Sequence, residues 1–277
     1  MAMEPWLCTA CGNEYTASAQ PPDFCPICRD DRQFLGPQGQ HFTTMEKLLW
    51  QRYAVDWREL EPGLVGISVE PRFAITQRAL FITRPDGGVM YDCTPLIVDA
   101  TAAKVRELGG LRAIVVSHPH FYGAMVAWGE KLGGVPVYVH EEDRQWVGRP
   151  SPLVKFWSEE TLELAPGITA IHLGGHFDGA TVLHWAGGGE GKGALFVADI
   201  ITMVEDPKWV TFLRSGPNGI PLPAREVQRM MKTLAPFHYD RLYGSHWPRV
   251  MKSDAEGNVR RSAERYLKWI DAEPLAV

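Results

Sequence analysis

Hydrophobic positions along the chain fall in short runs, and glycine or proline cuts off almost every one of them. The stretches 64–69, 73–83 and 89–92 are separated by Glu61-Pro62-Gly63 and Pro85-Asp86-Gly87-Gly88, a pattern that predicts meandering β-structure closed by turns. Further apolar runs at 113–116, 135–139, 168–173, 181–185, 194–198 and 241–243 read as strands. Helical spacing appears between them at 101–108, 124–132, 226–234 and 259–270, with Thr101 as cap and Gly109 as terminator of the first helix. Ahead of the strands, Thr43 and Glu46 form a capping box for a short helix in MEKLLWQRY that carries Leu48, Leu49 and Tyr53. The glycine-rich stretch 187–193 lacks the first glycine of a phosphate loop, and Gly193 stands where that loop needs Ser or Thr, so it reads as a hairpin turn. The chain is thus expected to be a mixed α/β protein.

Composition narrows the class. Twenty-seven glycines and 21 prolines in 277 residues favour many tight connections over an all-helical bundle. With 45% hydrophobic and 22% charged residues the chain can bury a real core, as one large domain or a large domain with a small appendage. The formal charge of −5 and the absence of a basic stripe make nucleic acid an unexpected partner. No apolar run approaches the ~18 residues of a membrane helix, so no membrane contact is expected. The opening MAMEPWLCTACG lacks the basic and apolar regions of a secretory signal, which makes the cytoplasm the expected compartment. The expected partner is a small-molecule substrate.

Four of the five cysteines form C-x2-C-x13-C-x2-C: Cys8, Cys11, Cys25 and Cys28. Two such knuckles supply the four corners of a tetrahedral thiolate site for Zn²⁺, with iron as the alternative ion. Two disulfides would use the same residues, but a reducing compartment disfavours them. In CTACGNEY and FCPIC, residues 6–36 resemble the rubredoxin-like module of rubrerythrins, which implies bound iron or zinc. Zinc is preferred, because a structural ribbon needs no redox partner. Residues 1–36 are accordingly expected to form a small tetrathiolate module, Gly36-Pro37-Gln38-Gly39-Gln40 a linker, and 41–277 the main domain. Cys93 reads as a small buried residue after a strand.

Histidines and an aspartate gather at strand exits: His118 and His120 in AIVVSHPHFYG, His176 in HLGGHFDGA, Asp199 in LFVADI and His246 in RLYGSHW. Three imidazoles and a carboxylate on loops held by rigid strands suit zinc or iron. His140, His172, His184, His41 and His238 lack that company and read as locally paired.

In order and spacing these residues resemble the metallo-β-lactamase superfamily, which includes glyoxalase II, across residues 60–250. The resemblance implies a four-layer αββα sandwich. It places His118, His120 and His176 as metal ligands, Asp199 as the bridging carboxylate, His246 as the last ligand and Asp92 as an early structural aspartate. Where the family has Asp-His after its first two histidines, this chain has Tyr122-Gly123, which removes two ligands of a second metal and predicts a mononuclear site. The expected function is a metal-dependent hydrolase in which one Zn²⁺, with iron as the alternative, activates water toward an ester, thioester or amide carbonyl. Asp199 would hold that water and Tyr122 would lend a hydrogen bond. Arg214 and Asn218, in the turn-rich segment 209–223, are candidate substrate contacts. Two other readings compete: a persulfide dioxygenase-like non-haem iron enzyme on His118, His176 and Asp199, and a catalytically degenerate binding protein. Two further expectations follow: deletion of 1–36 leaves an independent metal site, and Tyr122→Asp with Gly123→His restores a second metal.

Overall fold

The computed structural model describes residues 3–37 and 39–270, so Gln38 of the expected linker and the last seven residues of the expected main domain lie outside the described residues. The chain packs into two compact units, Met1–Glu159 and Glu160–Val277.

In the first unit a seven-stranded sheet runs, edge to edge, Val154–Trp157, Val137–His140, Leu111–Val115, Gly88–Tyr91, Ala79–Ile82, Leu64–Glu70, Ala54–Glu61. The first four strands pair in parallel. Parallel neighbours need crossovers, and the helices Asp99–Glu107 and Met125–Lys131 supply two of them. The remaining strands are the antiparallel meander anticipated from the turn sequences. Strands Ala79–Ile82 and Gly88–Tyr91 are buried along their whole length, which is why their sequences read as unbroken apolar runs. One core joins Phe81, Met90, Ile114, Val126 and Trp128.

The amino-terminal segment belongs to this unit. Strand Trp6–Cys8 lies between Glu14–Tyr15 and Phe42–Thr43 in a three-stranded sheet, and Leu7 is fully buried in the main core. The cysteines, Tyr15 and Ile27 form an adjoining cluster, and Trp146 packs against both. The short helix after the module is Met45–Trp50, capped by Thr44, whose Oγ1 accepts from Lys47 N at 3.3 Å. The capping box expected at Thr43 is therefore one residue early, because Thr43 is spent on pairing with Leu7. Likewise the next helix starts at Asp99, ahead of the expected cap Thr101, since an acidic side chain in the first turn favours the helix amino end.

The second unit holds a six-stranded sheet ordered Thr161–Ala165, Ile168–His172, Thr181–Trp185, Ala194–Ala198, Arg241–Gly244, Val250–Met251. Ala194–Ala198 and Arg241–Gly244 are parallel and are bridged by helix Ala224–Leu234. Residues 187–193 turn between antiparallel strands, as expected from the sequence. No helix among the described residues is long and apolar enough to cross a membrane.

Candidate metal centres

The four amino-terminal cysteines are all buried free thiols. Cys8 and Cys28 Sγ are 3.7 Å apart, as are Cys11 and Cys25 Sγ. A tetrahedron with ~2.3 Å metal–sulfur bonds has an edge of about 3.8 Å, so the sulfurs already stand at ligand spacing. Tyr15 Oη donates to Cys25 Sγ at 2.8 Å and Asn13 Nδ2 to Cys11 Sγ at 3.1 Å, the kind of donors that stabilise thiolate charge. Contact with the Cys11 thiol, then with Cys28 and Cys8, pulls Cys25 well below the ordinary thiol range, whereas burial pushes Cys11 up. Four buried sulfurs at ligand spacing, with two side-chain donors aimed at them, are chemically prepared for a cation.

The histidine site begins at the end of strand Leu111–Val115. Asp92 Oδ1 accepts from Ser117 N at 2.7 Å, and Asp92 N donates to Val115 O, which fixes the turn leading into His118. Asp92 thereby takes the structural part expected of it. A one-turn 3₁₀ helix, Pro119–Phe121, closed by Phe121 N to His118 O at 3.0 Å, sets the His118 and His120 rings 5.2 Å apart and buried. Ser117 Oγ lies 2.9 Å from His118 Nδ1.

His176 follows strand Ile168–His172 and is likewise buried. Its Nδ1 is 3.0 Å from Leu213 O, an acceptor only, so Nδ1 carries the proton and Nε2 is left with the lone pair a metal requires. Asp199 follows strand Ala194–Ala198, and Ser245 Oγ donates to its Oδ1 at 3.1 Å. The same hydroxyl is 3.0 Å from His246 Nδ1. His118, His120, His176 and Asp199 form a group in which one ligand atom from each lies within 4.8 Å of all the others. His246 stands outside that group and is partly exposed.

Tyr122 is buried in the core with its hydroxyl 3.5 Å from Asp143 O, and burial pushes the phenol well above its ordinary value. Gly123 has φ +54°, and a Cβ there would fall 2.4 Å from Cys93 O. A histidine at position 123 has no room, which argues against the second metal expected from the double substitution. Arg214 is partly exposed in strand Leu213–Ser215, and Asn218 is exposed in the following turn, where its N–H bonds Ser215 Oγ.

Of the remaining histidines, His184 Nε2 bonds His238 O at 2.8 Å, and His238 Nδ1 pairs with Glu256 at the surface. His140, Glu142 and His172 make a more exposed cluster, but His140 Nδ1 accepts from Glu142 N and His172 Nε2 bonds Asp178 O. Sequence reasoning missed Ser117, Ser245, Asn13 and the Leu213 carbonyl. A signal existed for the serines: the dipeptide Ser-His occurs at both 117–118 and 245–246.

The family model described as the metallo-beta-lactamase superfamily matches residues 75–246. The uncharacterized protein YmaE of Bacillus subtilis (strain 168) is 42% identical over 272 residues, covering 98% of each chain. Among solved structures, VMB-1 aligns with a TM-score of 0.58 at 16% identity over 78% of this chain and 98% of its own. The metallo beta lactamase from Hirschia baltica gives 0.54 at 21% identity over 76% and 96%. FIM-1 from Pseudomonas aeruginosa, solved in a mono-zinc form, gives 0.53 at 17% identity over 76% and 95%. At these identities the structural likenesses establish the fold, a mixed α/β sandwich.

Proposed function

Because the chain belongs to the metallo-β-lactamase superfamily, we propose that it is a hydrolase whose single catalytic metal is held by His118, His120, His176 and Asp199. The observation that carries this reading is the convergence of three imidazoles and one carboxylate within 4.8 Å, a donor set suited to Zn²⁺. When bound there, such an ion supplies a Lewis acid and an activated water for attack on an ester, thioester or amide carbonyl.

The protein's own groups do the rest. Leu213 O holds the proton on His176 Nδ1, which keeps Nε2 available as a ligand. Ser117 steadies His118 through Nδ1. Ser245 donates to Oδ1 of Asp199 and fixes the rotation of the carboxylate that is assigned to hold the water. His246, anchored through Nδ1 to that serine, is assigned the proton that leaves with the alcohol, thiol or amine. Tyr122 takes no part in proton transfer, since burial keeps its phenol protonated. Arg214 and Asn218 are assigned to substrate recognition. The four cysteines hold a second, structural Zn²⁺, and the protein works in the cytoplasm on a small molecule.

The test is metal analysis after growth in medium replete in both zinc and iron, alongside assay on activated esters and thioesters. Two zinc ions per chain with hydrolysis are expected. His176→Ala should lose the histidine-site metal, and His238→Ala should keep it. Equal retention in the two variants overturns the assignment, and iron with oxygen consumption in place of hydrolysis overturns the reaction class.

A further inference from the structure

Asn13 lies between the two centres in a way that neither chemistry requires. It follows the first cysteine knuckle, is 3% exposed, and spends both protons of its amide group. One goes to Cys11 Sγ at 3.1 Å and the other to Pro119 O at 2.9 Å. Pro119 is the residue between His118 and His120, and its carbonyl belongs to the peptide unit whose nitrogen is that of His120. A bond to that oxygen fixes the rotation of the peptide plane that carries His120. The backbone strengthens the arrangement: Cys8 N donates to Asn13 O at 2.9 Å, and Glu14 N donates to Gly123 O at 3.1 Å. Residues 13 and 14 are therefore clamped to the cysteine knuckle on one side and to the 119–123 loop on the other.

We propose that Asn13 is a positioning residue through which occupancy of the tetrathiolate centre governs how firmly the His118–His120 loop holds its metal. The proposal rests on the reading of that loop as a metal site. A metal-bound thiolate is a strong, fixed acceptor, and an N–H···S bond to it holds the amide plane in place. Once the cysteines lose their ion the sulfurs separate and rotate, that acceptor is lost, and Asn13 no longer pins Pro119 O. The histidine loop then gains freedom, and metal escapes faster. The amide suits this part because its two protons diverge in one rigid plane, so they can serve two acceptors at once.

The test uses the full-length protein loaded at both centres and follows metal transfer from the histidine site to a chelator, with cobalt at the thiolates as a spectroscopic reporter. Outer-shell partners of a ligand typically change metal retention by ~10-fold or more, so Asn13→Ala should raise the release rate about tenfold. It should also shift the thiolate-to-cobalt charge-transfer band without lowering its intensity. Thr9→Ala, which removes only a surface bond to His41 O, should do neither. Stripping the thiolate metal with a mercurial should raise the wild-type release rate to the level of Asn13→Ala and leave the variant's own rate unchanged. Asn13→Asp preserves the volume but not the donors, and should behave like Asn13→Ala should the smaller side chain fail to fold. A two-metal wild type whose rate is unmoved by substitution or by stripping overturns the proposal alone. A wild type that binds metal only at the cysteines overturns both the proposal and the functional reading beneath it.

Discussion

Tyr122 and Gly123 show how a single residue's backbone can close off a chemistry that its neighbours permit. Substituting Gly123 must accommodate φ +54° and a Cβ 2.4 Å from the Cys93 carbonyl oxygen. Gly123→Ala should therefore cost about 2–3 kcal/mol, read from the urea midpoint, and an unchanged midpoint would show that the loop relaxes freely. This cost was not legible in the sequence. Spacing shows that a ligand pair is absent, but the steric reason lies in a carbonyl thirty residues earlier. The histidines were legible, because each stands where an apolar run ends and a strand tip can present it. Their partners were harder to read, since whether Ser117 or Ser245 meets the next imidazole depends on the turn that joins them.

Elements were legible where apolar spacing was long enough to repeat, and less so at their ends. Helix Met125–Lys131 begins after Ala124, whose methyl group can make no capping hydrogen bond. Its first amides are met by the buried Glu14 carboxylate, which accepts from Val126 N and Ala127 N. No local pattern discloses a cap supplied from 112 residues away. Burial pushes the Glu14 carboxyl up, and Arg149, 2.8 Å from Oε2, opposes that shift. Arg149 also holds Glu130 at 2.8 Å, so one guanidinium joins the module to the far turn of the same helix. Arg149→Ala would strand a buried carboxylate and should cost about 3 kcal/mol. Arg144→Ala, which breaks the exposed pair with Glu141 and lifts a guanidinium off the Phe156 ring, should cost about 1 kcal/mol. Equal losses in the two denaturation curves would mean that Glu14 is hydrated in the absence of its partner.

For the molecule as a whole, the cysteine spacing disclosed a metal module but not where that module belongs. The glycine and proline of 36–40 suggested a tether, yet Leu7 sits in the main core and Thr16 N bonds Gly148 O. Deleting residues 1–36 removes the helix cap, the partner of Arg149 and part of the core. The truncated chain should therefore melt well below the full protein or accumulate insoluble. A cooperative transition at the full-length temperature would instead vindicate an independent main domain.

The distance along the chain between Glu14 and Arg149, 135 residues, also has a meaning in time. A ribosome adding ~5–20 residues per second needs roughly 7–27 s to travel from one to the other. All four cysteines are made within the first 28 residues, two before that interval and two early in it, and need no later partner to gather around an ion. Leu7 and Glu14 must wait in solvent for surfaces not yet made. An ion that the cysteines take up would therefore be captured first and docking would come second, so a shortage of it during translation would be felt before the large sheet exists.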